Sequence, residues 1–334
     1  MAVRDATVHG GGARSDAAGA RSDAAGARLR FLDVARALAV VTMLVANLIN
    51  IFVPEHPRLL AHNLGDELLP LDLPAPIFQF LIGVSLALFL ARRRAAREGA
   101  EARLLAVRRF AILVVLGAVL DGIAAGRLEF RWGVLQTLGM GGLVATALAT
   151  SSDVVVLAVA ATILVTHYGP GNNEVHRSAL DCLPFVPLTL LGYVVGRPLA
   201  RGDRESFKLR ASVTAALCVG LAVVLRLAGI PYNKLTGTSS FVLLTTAVSA
   251  VLLLGLARLD EIGRPLPPVL AILGSNALTA WVLQYVVIFY PVYFLLGSPV
   301  ALPEVAGLAV VGVAVLVLSL LTVALARRGF RIPL

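Results

Sequence analysis

The sequence predicts an all-α protein, a polytopic transmembrane helix bundle of about ten spans (nine to eleven) with both termini cytoplasmic. Three observations predict it. Of the 334 residues, 58% are hydrophobic and 15% charged, against roughly a quarter charged in an average soluble domain, and mean hydropathy is +0.86. The apolar residues gather in runs close to the ~20 residues that a helix needs to cross a hydrocarbon core. Lys and Arg fall mostly in alternate connections between those runs, as retention of positive charge on the cytoplasmic side requires.

Residues 1–27 stand apart from the rest. RSDAAGA at 14–20 repeats at 21–27 in a segment of Ala, Gly, Arg, Ser and Asp. It has nothing with which to build a core and no continuous apolar stretch of a signal peptide, so it reads as a disordered low-complexity tail. Residues 28–334 form the transmembrane domain, with candidate spans at 31–53, 74–92, 107–125, 132–150, 153–168, 183–199, 209–229, 238–258, 268–294 and 301–326. Between the fourth and fifth spans only Ser151, Ser152 and Asp153 make the turn.

Charge sets the orientation. One side holds the arginines of the tail, the run from Arg92 to Arg109, the group Arg197, Arg201, Arg204, Lys208 and Arg210, then Arg258 and Arg264, and finally Arg327, Arg328 and Arg331. The other side keeps only Arg58, Arg127, Arg131, Arg177, Arg226 and Lys234. The formal net charge of +9 would suggest nucleic acid in a soluble chain, but these basic residues are topological. Membrane lipid, and no nucleic acid, is therefore the expected surroundings. The localisation expected is the cytoplasmic (inner) membrane. Cys182 and Cys218 sit in or beside spans without CxxC or Cys/His spacing, which indicates neither a metal site nor a disulfide framework.

The polar residues within this apolar background are the functional candidates, because each is costly at membrane depth. The richest stretch is HNLGDELLPLDLPAPIFQFLIG at 62–83, where His62, Asp66, Glu67 and Asp72 precede Pro74 and Pro76 and a long apolar helix. The positive-inside assignment puts this loop on the outer face, with the Arg127–Arg131 turn and the His167–Asp181 loop. Asp33 and Arg36, three apart on the first span, suit an ion pair at the inner membrane edge. Asn47 suits a hydrogen bond to a neighbouring helix. Asp121 suits Arg127 or Arg131, and Gln136 suits Asn276 or a ligand. His167, Glu174, His176 and Asp181 lack the i, i+4 spacing of a helical zinc site.

His62, Asp72-Leu73, Pro76, Phe78 and Gly83 resemble the corresponding loop and helix of the heparan-α-glucosaminide N-acetyltransferase family of multi-pass membrane acyltransferases. The same order continues elsewhere. Leu32, Asp33, Arg36, Met43 and Asn47 are similar to the family's LDxxRGxxxxxMxxxN pattern, with Ala37 in place of Gly; RWGVLQTLG at 131–139, DCLPFVPLTLLGYVVGR at 181–197 and GSNALTAWV at 274–282 resemble later segments. The resemblance implies an acyltransferase that takes acetyl-CoA as co-substrate, without a metal, and modifies a sugar or amine acceptor across the membrane.

Under that resemblance His62 takes the place of the active-site histidine. Histidine supplies a base near neutral pH, or a nucleophile that carries the acyl group. Asp72, which also matches the family, or Asp66 would orient the imidazole as the acid of a serine triad does. His56 has no match. Arg36, Arg131, Gln136 and Asn276 are the polar groups expected along an acyl-CoA path. Intramembrane Asp, Arg, Asn and Gln would also suit a secondary transporter of a small polar solute, although the two halves show no internal similarity; a non-catalytic scaffold is a third reading. The sequence is as compatible with a homo-oligomer as with a monomer.

Overall fold

The computed structural model describes residues 29–62, 65–96, 98–125, 132–167, 179–297, 300–330 and 332; the tail at 1–27 and Arg131 lie outside them. Among the described residues all regular structure is helical, without strands. Each predicted apolar run carries helix: α1 Arg30–Phe52, α2 Pro74–Ala95, α3 Gly99–Ala125, α4 Val134–Ala147, α5 Asp153–Thr166, α6 Val186–Leu199, α7 Arg204–Leu227, α8 Ser239–Glu261, α9 Pro268–Ser275, α10 Ala277–Leu283 and α11 Glu304–Arg327. The run at 268–294 is the one that differs. It breaks at Asn276 into α9 and α10, then continues as π-helical turns over Gln284–Phe289 and Val292–Leu296. Among the described residues, seven helical stretches are long and apolar enough to cross a membrane, and α4 and α5 are shorter apolar helices.

Local chemistry explains where the helices begin. Pro74 and Pro76 open α2 and Pro268 opens α9, at positions where the missing N–H has no helical partner to lose. The three-residue turn before α5 works because the Ser152 hydroxyl accepts from Val155 N–H as an N-cap. Asp153 then holds the turn to two neighbours, pairing with Arg197 of α6 and with Arg210 of α7 at 2.5 Å.

The bundle is organised around α2 and α6. In each of these the apolar stretch is 72% buried, against 22% in α7 and α11, so α2 and α6 are core helices while α7 and α11 turn apolar side chains outward. The approach of α2 to α6 is possible because Gly83 faces Gly192. A Cβ at Gly83 would sit 2.0 Å from Thr189 O, and one at Gly192 2.1 Å from Phe80 O, so small residues set the interhelical distance as they do in membrane bundles generally. Polar groups inside this packing bond to backbone across helices. Gln79 Nε2 donates to Thr137 O of α4 at 3.1 Å, and Thr189 Oγ1 donates to Gln79 O at 3.2 Å.

Candidate active site

Two cavities lie end to end in the bundle. The smaller, about 150 Å³, is walled by the late part of α1 (Ala46, Asn47), His62, the starts of α2, α4 and α6, and the α7–α8 loop through Lys234 and Leu235. These segments lie at one end of the bundle. The larger, about 370 Å³, is walled at the opposite end by Arg36, Ser85, Phe89, Arg109 and the α9–α10 junction at Ser275 and Asn276. Met43, Leu138 and Trp281 line both, so one layer of side chains separates them.

His62 is held on the smaller cavity by the α1–α2 loop, with Nε2 3.0 Å from Asn50 Nδ2. In that arrangement the ring accepts at Nε2 and carries its hydrogen on Nδ1. A half-turn of the exposed Asn50 amide presents Oδ1 instead, moves the hydrogen to Nε2 and leaves Nδ1 as the basic nitrogen. Nδ1 is buried and meets no partner among the described residues. Burial first, and the nearby Lys234 cation second, hold the pKa of the ring down to about 4 against an opposing pull from Asp72. The imidazole is therefore neutral over the physiological range.

Asp72 bonds elsewhere. Its fully buried carboxylate lies 3.3 Å from Lys234 Nζ and accepts from Leu69 N–H at 3.1 Å. It reaches His62 only through its charge, and the expected orienting hydrogen bond comes from Asn50 in its place. Burial lowers the Lys234 pKa and Asp72 counters that shift. The other acids of the loop are also occupied: Asp66 accepts from Asn233 Nδ2 at 2.8 Å and Glu67 pairs with Arg58. His56 is tied to Val53 O by Nδ1 at 2.7 Å.

At the opposite cavity Arg36 is clamped, NH1 to Asp33 Oδ1 and NH2 to Ser85 Oγ, both at 2.5 Å. This is the ion pair expected from the i, i+3 spacing. Asn276 occupies the α9–α10 break, where its Nδ2 donates to Ile272 O at 2.8 Å. Arg109 adds a second guanidinium, stacked 4.7 Å from the Phe89 ring centroid.

A family model described as heparan-alpha-glucosaminide N-acetyltransferase, catalytic, matches residues 28–232, more than half of the chain. The chain belongs to this family. It is a membrane acetyltransferase. No curated protein matches it by sequence. The matched segment contains His62, Asp72 and Arg36, while Lys234, Asn276 and Trp281 reach the two cavities of the acetyltransferase from beyond its end.

The residues expected along the acyl-CoA path divide. Arg36 and Asn276 line the larger cavity together. Gln136 lies outside both linings, and its Nε2 donates to Asp121 Oδ2 at 3.1 Å, not to Asn276. Asp121 also accepts from Tyr285 OH at 3.4 Å. Arg131 falls outside the described residues, as does most of the His167–Asp181 loop. Asn47 makes the interhelical bond expected of it, to Gln284 Oε1 at 3.4 Å, and also lines the smaller cavity. In the sequence Arg109 is one charge in a basic run, Lys234 a lone loop cation, Asn50 the end of a span and Trp281 part of the apolar run at 268–294, and none of these positions marks a cavity wall or a partner of His62.

Proposed function

We propose that this acetyltransferase takes an acetyl group from acetyl-CoA bound at the larger, cytoplasmic cavity and passes it to an amino sugar or other glycan acceptor in the smaller, outer one. Both termini are then cytoplasmic and the membrane is the cytoplasmic one. The observation that carries this reading is the pair of cavities at opposite ends of the bundle, meeting at a single layer of side chains with His62 on the outer side. The donor set suits the donor: Arg36 and Arg109 offer guanidinium forks for phosphate, Asn276 an amide, and Phe78, Leu81 and Leu113 an apolar wall for the arm. His62, once Nδ1 is the free nitrogen, accepts the proton that an attacking amine must lose.

The test is acetyl transfer in proteoliposomes with labelled acetyl-CoA on one side of the membrane and glucosamine-terminated oligosaccharide on the other. Label on the oligosaccharide is the expected result. Solute uptake without acyl donor, or no labelled oligosaccharide, sinks the reading, and label retained on the protein in the absence of acceptor identifies an acyl-histidine route. Arg36→Ala is expected to weaken acetyl-CoA binding about tenfold, one charged hydrogen bond's worth, measured by calorimetry on the purified protein. Unchanged affinity would remove Arg36 from the donor site.

A further inference from the structure

Three buried polar atoms around the smaller cavity lack partners among the described residues: His62 Nδ1, Gln79 Oε1 and Trp281 Nε1. Gln79 is 2% and Trp281 6% exposed. Native interiors leave few such atoms unpaired, each at a cost of ~1–3 kcal/mol. All three residues line this cavity, and an unpaired donor (Trp281 Nε1–H), an unpaired acceptor (Gln79 Oε1) and an imidazole nitrogen whose role follows its tautomer suit a polar ligand there.

The two side chains other than His62 are placed for different tasks. Of the three residues shared by the cavities, Met43 and Leu138 are apolar, and Trp281 alone carries a polar hydrogen. Any acyl group passing from one cavity to the other passes between these three side chains. The ring is carried on α10, between the Asn276 break and the π-helical turns, and packs against Tyr285 with centroids 6.0 Å apart. Gln79 lines only the outer cavity. Its amide is fixed by the Nε2 bond to Thr137 O and by Gly141, where a Cβ would lie 2.0 Å from Nε2. The bare oxygen is thereby held as an acceptor that cannot turn away.

We propose that Trp281 and Gln79 frame the transfer step, the indole Nε1–H donating to the carbonyl oxygen of the acyl group and Gln79 Oε1 accepting an N–H of the incoming amine. The acceptor nitrogen bonds to the acyl carbon, the carbon–sulfur bond breaks, and the proton lost by nitrogen passes through His62 to the departing sulfur. A fixed N–H aimed at the oxygen where negative charge develops stabilises the transition state more than the ground state. The oxygen of Gln79 orients the amine without removing its proton, a task left to His62.

This inference rests on the outer cavity being the acceptor site, and the test separates the two. Trp281→Phe keeps the ring and deletes the N–H. Its kcat is expected to fall about 10²–10³-fold, with KM for acetyl-CoA within about threefold of wild type. Gln79→Met should raise the acceptor KM about tenfold and leave acetyl-CoA affinity unchanged. A second readout does not depend on turnover: the chain has two tryptophans, so in a Trp132→Phe protein the emission of Trp281 should shift on adding acetyl-CoA and not on adding CoA. Trp281→Phe with kcat within threefold of wild type, or an unmoved emission, overturns the inference while a productive wild type and an inactive His62→Ala leave the acceptor-site reading standing. A wild type that transfers nothing overturns that reading and this inference with it. Melting temperatures of both variants near wild type exclude misfolding as the cause of a loss.

Discussion

His62→Ala is expected to lower kcat for acetyl transfer by about 10²–10⁴-fold, the usual worth of a positioned general base, with acetyl-CoA affinity unchanged because the ring lies on the other cavity. The pH profile carries the same prediction further. A base works only when unprotonated, and burial together with the Lys234 cation holds the His62 pKa near 4. The acidic limb of kcat/KM should therefore lie near pH 4 and not near the ordinary histidine value of about 6.5. Lys234→Met removes a neighbouring positive charge and leaves the Asp72 charge in place, so the pKa rises and the limb moves to higher pH. Asp72→Asn removes the opposing charge and moves it lower. Folding stability follows the same sign: with the folded pKa below the unfolded one, the unfolded chain binds more protons between pH 6.5 and 4. Stability should fall as pH drops through that window. A limb near 6.5 that neither variant moves would remove His62 as the base.

The helices were legible because a bilayer leaves the backbone few choices. An apolar run of bilayer length must satisfy its own N–H and C=O groups, and helix is the way a single segment does so. The polar stretch at 62–72 was legible for the complementary reason, since ionisable groups beside such a run demand partners. The partners themselves were not. Lys234 meets Asp72 across 162 residues, and no local spacing announces a contact made by folding. Gln136 was within reach of several candidates on any helical wheel, and only the packing of α3 against α4 selects Asp121. Hydrophobic length also hid the break at Asn276: the run from 268 to 294 is apolar on both sides of it, so periodicity carries no mark of the junction that puts Asn276 on one cavity and Trp281 between the two.

Asp72→Ala is expected to cost about 3–5 kcal/mol of stability, the penalty for leaving one member of a buried ion pair without the other. Asp72 has no exposed surface and Lys234 keeps 20% of its side chain exposed, so the carboxylate is what makes a protonated lysine tolerable there. Its second oxygen accepts from Leu69 N–H, so the alanine variant also strands a backbone donor. Burial already lowers the Lys234 pKa; without Asp72 the lysine should release its proton more readily, which limits the loss to the lower part of that range at high pH. The double variant Asp72→Ala/Lys234→Met removes both charges and should recover part of the stability, with a coupling of ~0.5–3 kcal/mol in the double-mutant cycle. Additive losses, read from thermal melts in detergent, would mean that the pair contributes nothing. The functional consequence is local. This pair ties the α7–α8 loop, with Lys234 and Leu235 on the outer cavity wall, to the turn that leads into α2. Any acetyl transfer left in Asp72→Ala should therefore show a raised acceptor KM before any change in acetyl-CoA affinity, because the cavity walled by Arg36, Arg109 and Asn276 takes no residue from that loop.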